Sequence, residues 1–300
     1  MCSSDLQTPN PKPQTPNPKP HLLIFTLFVS LMENPTGQQS KSATTKYLIL
    51  VRHGERVDET AGLHDIVSYD DQRDSSLTER GKLRSMATGK KLAALLDEYG
   101  LMNGKCLKVK YICSVIYRCM QTMAGLRDGI GQYVHHNKEK FENYEAVNKA
   151  FLRRKTHIEE ACSEKKLSVT PEYVANLRIR THNKEILQEF SKINPVYKYL
   201  YDYENVHAHL SLNQKFEKKK QANKYLHMFF DDIFERLMKD DDHSAYVVVA
   251  HSKYIKQLNK YLDLPPLECD VDYNAASILE FKTDGSKSIL MHNVQLHSQQ

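Results

Sequence analysis

Tyr47 to Val51, YLILV, runs directly into Arg52, His53 and Gly54, and Tyr246 to Ala250, YVVVA, runs directly into His251 and Ser252. Continuous apolar runs of five residues are expected for parallel strands buried on both faces. In an open α/β sheet the carboxyl ends of the strands border the crevice where ligands bind. A histidine at one strand end is commonplace; the same arrangement at the two best strands predicts that the two imidazoles meet.

Working outward, Leu107 to Cys113, Ile158 to Cys162, Ser277 to Phe281 and Ser288 to Val294 are weaker strand candidates. Between the strands lie helical patterns. One is opened by Thr78 as N-cap and runs to about Tyr99, where Gly100 ends it; another covers roughly Gln221 to Lys239. The spacing of Ile255, Leu258 and Leu262 predicts a third, beginning near Ser252. This alternation predicts a three-layer α/β/α sandwich around a mostly parallel central sheet.

The first 45 residues differ in kind. QTPNPKP at Gln7 to Pro13 is repeated letter for letter at Gln14 to Pro20, a polar, proline-dense tract that buries no core and is expected to be disordered. Met32 offers an alternative start, which would make the preceding residues an over-extended gene model. The fold is expected to occupy residues 46–300. The longest apolar stretch, Leu22 to Met32, has 11 residues, where a spanning helix needs about 20, so no stable membrane insertion is expected. Residues 21–32 could serve as a signal peptide's apolar region, but no A-x-A-like cleavage site follows. The six cysteines form no CxxC pair, and the Asn34-Pro35-Thr36 triplet is barred from glycosylation by its proline. Cytoplasmic residence is therefore the expectation, and secretion the alternative.

The chain holds 42 Lys and Arg against 37 Asp and Glu, a formal charge of +5. That slight excess favours small anionic substrates weakly and gives no ground for nucleic-acid binding. No GxxxxGK[ST], GxGxxG or HExxH is present, so no nucleotide loop, dinucleotide site or zincin site is expected, and neither a metal nor a cofactor. Arg52 and Arg56 flank His53 in RHGER and bring guanidinium forks suited to phosphate oxygens, unless they pair with carboxylates such as Glu55 and Asp58. A third strand candidate leads through Ser114 to another arginine, Arg118. Cys113 and Cys119 beside it are expected to be small buried thiols.

In these residues the chain resembles the histidine phosphatase superfamily, also called phosphoglycerate mutase-like. Arg52-His53-Gly54 matches its Arg-His-Gly, and the extended RHGERVD, Arg52 to Asp58, is similar to the branch of suppressors of T-cell receptor signalling. DSSLTERG, Asp74 to Gly81, matches DxPLTxxG without its proline, and Ser114 to Thr122 matches SPxxRxxQT with Val115 in place of proline. IEEACSE, Ile158 to Glu164, resembles VEPGLxE, VVVAHS carries the second histidine, and Tyr273 to Phe281 resembles the closing segment.

The resemblance implies a phosphoglycerate mutase-like fold and a phosphatase that works through a phosphohistidine on His53. It implies Arg52, Arg56, Arg118, His251 and Ser252 on the phosphate, and Glu164 as general acid, with Glu159 and Glu160 as rivals. The implied substrate is a phosphorylated small molecule or a phosphoprotein. Mutase-type phosphoryl transfer and a non-catalytic phosphate-binding module are the alternatives, and oligomeric state is open. Guanidiniums near His53 are expected to hold its pKa down by like-charge repulsion.

Deleting residues 1–31, which removes Lys12, Lys19 and Asp5 and changes the charge from +5 to +4, is expected to leave folding and activity intact. The repeated tract and its apolar neighbour have no partner strand or motif. Comparing soluble yield, melting temperature and turnover of the two chains checks this.

Overall fold

The computed structural model describes residues 45–60, 75–102, 108–114, 116–152, 156–159, 219–265, 267, 270–282 and 284–298. Among the described residues six strands and five α-helices follow in the order β1 (Lys46–Arg52), α1 (Glu79–Glu98), β2 (Val109–Ser114), α2 (Tyr117–His136), α3 (Tyr144–Val147), β3 (Thr156–Glu159), α4 (Lys219–Lys239), β4 (Ala245–Ala250), α5 (Ser252–Tyr261), β5 (Ala275–Phe281) and β6 (Lys287–Gln295). The strand order across the sheet is β3-β2-β4-β1-β5-β6. The first four run parallel, and β5 and β6 add two antiparallel pairings at one edge. Residues 1–44, and with them the expectation for the N-terminal tract, lie outside the described residues. Among the described residues no helix is long and apolar enough to cross a membrane.

Side-chain alternation explains why the two apolar runs must be central. Tyr47, Ile49 and Val51 of β1 pack with Tyr111, Cys113, Val247 and Val249 beneath Leu92 and Leu96 of α1 and Met120, Met123 and Leu126 of α2. Leu48 and Leu50 face the other way, with Ile112, Tyr246 and Val248, onto Phe229, Phe230 and Ile233 of α4 and Ile255 and Leu258 of α5. A strand clothed by helices on both faces needs apolar residues at every position. The three-layer α/β/α sandwich with its mostly parallel sheet is thus the architecture of this chain.

Element boundaries moved in informative ways. Thr78 caps α1, its hydroxyl oxygen accepting from the Gly81 N–H at 2.8 Å, and Gly100 leaves the helix with φ +68. β2 begins at Val109, preceded by the Lys108 carbonyl that accepts from the Ser244 and Ala245 amides; Leu107, where the strand was expected to begin, lies outside the described residues. β3 begins at Thr156, not Ile158, because its register on β2 pairs Thr156 with Tyr111 and carries Glu159 level with Ser114. Residues 160–162, where that strand was expected to continue, are outside the described residues.

Helices α1 and α2 approach closely enough to need glycine. A Cβ on Gly89 would stand 2.0 Å from the Leu126 carbonyl oxygen, and one on Gly129 would stand 1.9 Å from that of Met86. Both obstacles are backbone. At Gly131 a Cβ would meet only the Leu152 side chain at an ordinary 3.6 Å.

Gly129→Ala is therefore expected to destabilise the fold by about 1–3 kcal/mol, the usual range for overpacking. Gly131→Ala, in the interior of the same helix, should stabilise it by roughly 0.5–1 kcal/mol through helix propensity. Urea denaturation midpoints of the two variants should move in opposite directions; a shared direction would contradict this packing.

Candidate active site

Three strand ends set the site. The register pairs Arg52 with Ala250 and Cys113 with Val249, so β1, β4 and β2 finish level with one another. The His53 amide then extends the ladder by one rung, donating to the Ala250 carbonyl at 2.9 Å. The imidazoles of His53 and His251 consequently lie 5.2 Å apart, centre to centre, at an interplanar angle of 66°. The predicted meeting of the two histidines is what the fold produces.

The tautomer of His53 follows from its partner. Nδ1 lies 2.8 Å from the Gly54 carbonyl oxygen, which can only accept, so Nδ1 carries the proton and Nε2 keeps a lone pair. His251 is the N-cap residue of α5; its Nε2 is 3.3 Å from the Ser114 hydroxyl and 3.7 Å from the Cys119 sulfur. Ser252, the first residue of α5, is half-buried beside it. Cys113 and Cys119 are buried free thiols, as expected.

The arginines differ in how they are held. Arg118, in the first turn of α2, is only 1% exposed, and its charge reaches both imidazoles. Arg52 donates to the Val271 carbonyl and lies 4.0 Å above the Tyr273 ring. Arg56 donates to both carboxylate oxygens of Asp58 and, at 2.8 Å, to Glu59, so the carboxylate pairing weighed for it is realised. Glu55 pairs instead with Arg80, and accepts from the Thr78 hydroxyl at 2.7 Å. It thereby ties the loop after His53 to the start of α1.

Both histidines have pKa values well below the ordinary imidazole value. For His53 the largest cause is burial, followed by the charge of Arg118; Arg52 and Arg56 add to the depression, while the hydrogen bond to Gly54 opposes it. The guanidiniums depress it as expected, and burial does more. For His251 burial again leads, followed by the charges of His53, Arg118, Arg56 and Lys253. Desolvation penalises the charged form, and fixed cations add to that penalty. The result is a pair of neutral imidazoles among guanidiniums, an arrangement suited to a small oxyanion.

Glu164 and its rival Glu160 lie outside the described residues. Glu159 is the last residue of β3, paired with Ser114 at the crevice end of the sheet. The sequence marks Tyr273 and Asn274 only as the start of the closing segment and assigns them no role, yet Tyr273 adjoins both His53 and Arg52 and the Asn274 amide donates to the His53 carbonyl. Beside that resemblance, the local signal is an asparagine directly before the apolar run AASIL, a residue type that turns chains through left-handed conformations.

No protein-family model matches the chain, and no curated protein matches it. Among solved structures it is similar to the ecdysone phosphate phosphatase of Bombix mori in complex with tungstate. That match has 16% identity, covers 83% of this chain and 93% of the other, and has a TM-score of 0.50. It is also similar to the phosphoglycerate mutase of Bacillus anthracis str. Sterne, with 14% identity, 85% and 96% coverage and a TM-score of 0.43. A third is a mycobacterial glucosyl-3-phosphoglycerate phosphatase, with 14% identity, 83% and 99% coverage and a TM-score of 0.42. At 16% identity the likeness to the ecdysone phosphate phosphatase is one of fold alone, and it accords with the three-layer α/β/α architecture expected from the sequence.

The buried histidines have a consequence for stability. Their folded pKa values lie below the roughly 6.5 of an unfolded imidazole, so the unfolded chain takes up protons first as pH falls. Their contribution is complete above about pH 6.5 and declines as pH falls below it toward the folded values. The denaturation midpoint should drop between pH 7.5 and 5.5, and the double variant His53→Gln, His251→Gln should show a flatter profile. His292 and His297 are also shifted down by burial, and the double variant leaves them in place. Equal slopes in the two proteins would mean that the paired imidazoles are not buried neutral.

Proposed function

We propose that residues 46–300 form a phosphohydrolase of the histidine phosphatase superfamily that cleaves phosphomonoesters through a phosphohistidine on His53, nearest to the RHGERVD branch. The observation that carries this is the buried, neutral His53 with its Nδ1 proton directed to Gly54. That leaves Nε2 as a nucleophile next to His251 and the buried Arg118.

Phosphoryl transfer requires a nucleophile, neutralisation of charge on the equatorial oxygens, and a proton for the leaving oxygen. His53 Nε2 attacks phosphorus as the ester P–O bond breaks. Arg118, Arg52 and His251 take the phosphate oxygens, with Ser252 and the amino end of α5 alongside. Arg56, held by Asp58 and Glu59, contributes charge from the next position. Because guanidiniums supply the charge neutralisation, the reaction needs no metal. Glu164 protonates the leaving oxygen and then, as a carboxylate, draws a proton from the water that cleaves the P–N bond, releasing inorganic phosphate and free His53. This last assignment rests on the resemblance of Ile158 to Glu164 to the family segment.

The phosphatases among the structural neighbours, and the tungstate oxyanion in one of them, agree with this reading. The motifs address the phosphate alone, so the substrate class is a phosphorylated small molecule or a phosphoprotein.

Turnover of p-nitrophenyl phosphate should survive EDTA, be blocked by vanadate and vanish in His53→Ala, and a rapid acid quench followed by alkali should show an alkali-stable phosphate on His53. Glu164→Gln should cost on the order of 10² to 10⁴-fold with an alkyl phosphate, whose leaving oxygen is basic, and much less with the aryl ester. Phosphoglycerate interconversion run in parallel would, if it outpaced hydrolysis, replace the reading by a mutase. Loss of turnover in EDTA that a divalent metal restores would overturn it.

A further inference from the structure

The tautomer of His53 is only as well defined as the direction of the Gly54 carbonyl that receives its Nδ1 proton. That carbonyl belongs to Gly54, and the peptide unit before it, joining His53 to Gly54 and carrying that residue at one end, is gripped from both sides. Its oxygen, the His53 carbonyl, accepts from the Asn274 backbone N–H at 3.3 Å. Its N–H, that of Gly54, donates to the Thr122 Oγ1 at 2.9 Å.

Each grip is itself held. The Thr122 hydroxyl gives its single proton to the Arg118 carbonyl, one helical turn back, at 2.7 Å. With that proton committed, its oxygen is left as an acceptor for Gly54. One hydroxyl therefore links the peptide of the nucleophile to the turn that carries the buried arginine. On the other side Asn274 sits at φ +59, a left-handed conformation that asparagine tolerates and branched residues do not. Its side-chain Oδ1 lies 3.0 Å from the Ser85 hydroxyl of α1, whose single proton is shared with the Gly81 carbonyl at 2.8 Å. Thr122, Asn274 and Ser85 are all fully buried.

The geometry points to Thr122 and Asn274 as positioning residues that lock the His53–Gly54 peptide, and through it hold His53 in the Nδ1-protonated tautomer that presents a free Nε2. Neither touches the reacting atoms. Both act through the backbone of the nucleophile, and Thr122 also sets the distance between His53 and Arg118. Glu55 completes the hold on the far side of Gly54, its carbonyl accepting from the Thr78 amide at 3.0 Å. The kinetic consequence rests on the hydrolase reading; the tautomer consequence does not.

The test uses the full chain labelled with ¹⁵N at histidine, and two readouts. Imidazole ¹⁵N–¹H spectra at pH 7.5, with the His53 signals assigned by their loss in His53→Gln, should show a single Nδ1-protonated tautomer in the unaltered protein. Thr122→Val, which keeps the shape and removes the acceptor, should turn this into a mixture; Thr122→Ser should restore the single form. Asn274→Gly, which reaches φ +59 without strain and keeps the N–H, should retain the single tautomer, while Asn274→Val should lose it. Should Asn274→Val not fold, the threonine pair decides the matter. In the burst phase with p-nitrophenyl phosphate, Thr122→Val should phosphorylate about 10- to 100-fold more slowly, the scale of a small misplacement, with a lesser change in KM. A single Nδ1-protonated tautomer in Thr122→Val would overturn the inference. An unaltered protein that shows the single tautomer but no turnover would overturn the hydrolase reading alone.

Discussion

The parallel pairing of β1 with β4 determines where everything else in the site can stand. Six consecutive residue pairs, from Tyr47 with Ala245 to Arg52 with Ala250, place the ends of the two strands side by side, and the His53 amide adds one further rung. A slip of one residue would turn each strand's odd and even positions onto opposite faces. Ile49 and Val51 would then leave the α1–α2 side and Leu48 and Leu50 the α4–α5 side. Both faces are buried, and both apolar clusters hold the register. The juxtaposition of His53 and His251 is thus secured by packing that lies well below the site.

That packing creates the chemical character of the site. Two imidazoles that are 2% and 0% exposed, and a guanidinium that is 1% exposed, stand where the sheet would otherwise end in apolar residues. Burying these groups costs stability, and close approach of like charges adds to the cost. What results is a nucleophile that stays neutral and a cationic wall organised before any anion arrives. The supporting bonds are mostly backbone: the Gly54, Val271 and Arg118 carbonyls and the Asn274 amide fix the side chains around them. Close contact between α1 and α2 at Gly89 and Gly129 brings Ser85 and Thr122 under the His53 loop from two helices at once.

Much of this was legible in the residues. YLILV and YVVVA are apolar at every position, which only strands covered on both faces require, and each element they announced is present within a residue. Thr78 and Gly100 bracketed α1 because a capping hydroxyl and a left-handed glycine act locally. Less was legible at β3, whose Thr156–Glu159 span depends on pairing with Tyr111 to Ser114 and not on its own hydrophobicity. The fate of the arginines was legible only as alternatives. Arg56 turned to Asp58 and Glu59, near in sequence, whereas Arg52 turned to Val271 and Tyr273, about 220 residues away.

By itself the sequence determined the class of fold, the strand ends that carry histidines, and the presence of arginines beside them, because periodicity and strand-end placement are properties of short segments. Only the tertiary structure decided that burial, ahead of the guanidiniums, keeps His53 neutral, because desolvation depends on residues remote in sequence, such as His251 and Tyr273, closing around the ring. It alone also decided the tautomer. The proton on Nδ1 follows from the Gly54 carbonyl, and the peptide that precedes it is held by Thr122 and Asn274, residues 69 and 221 positions along the chain from His53 that reach it only once the sheet has formed.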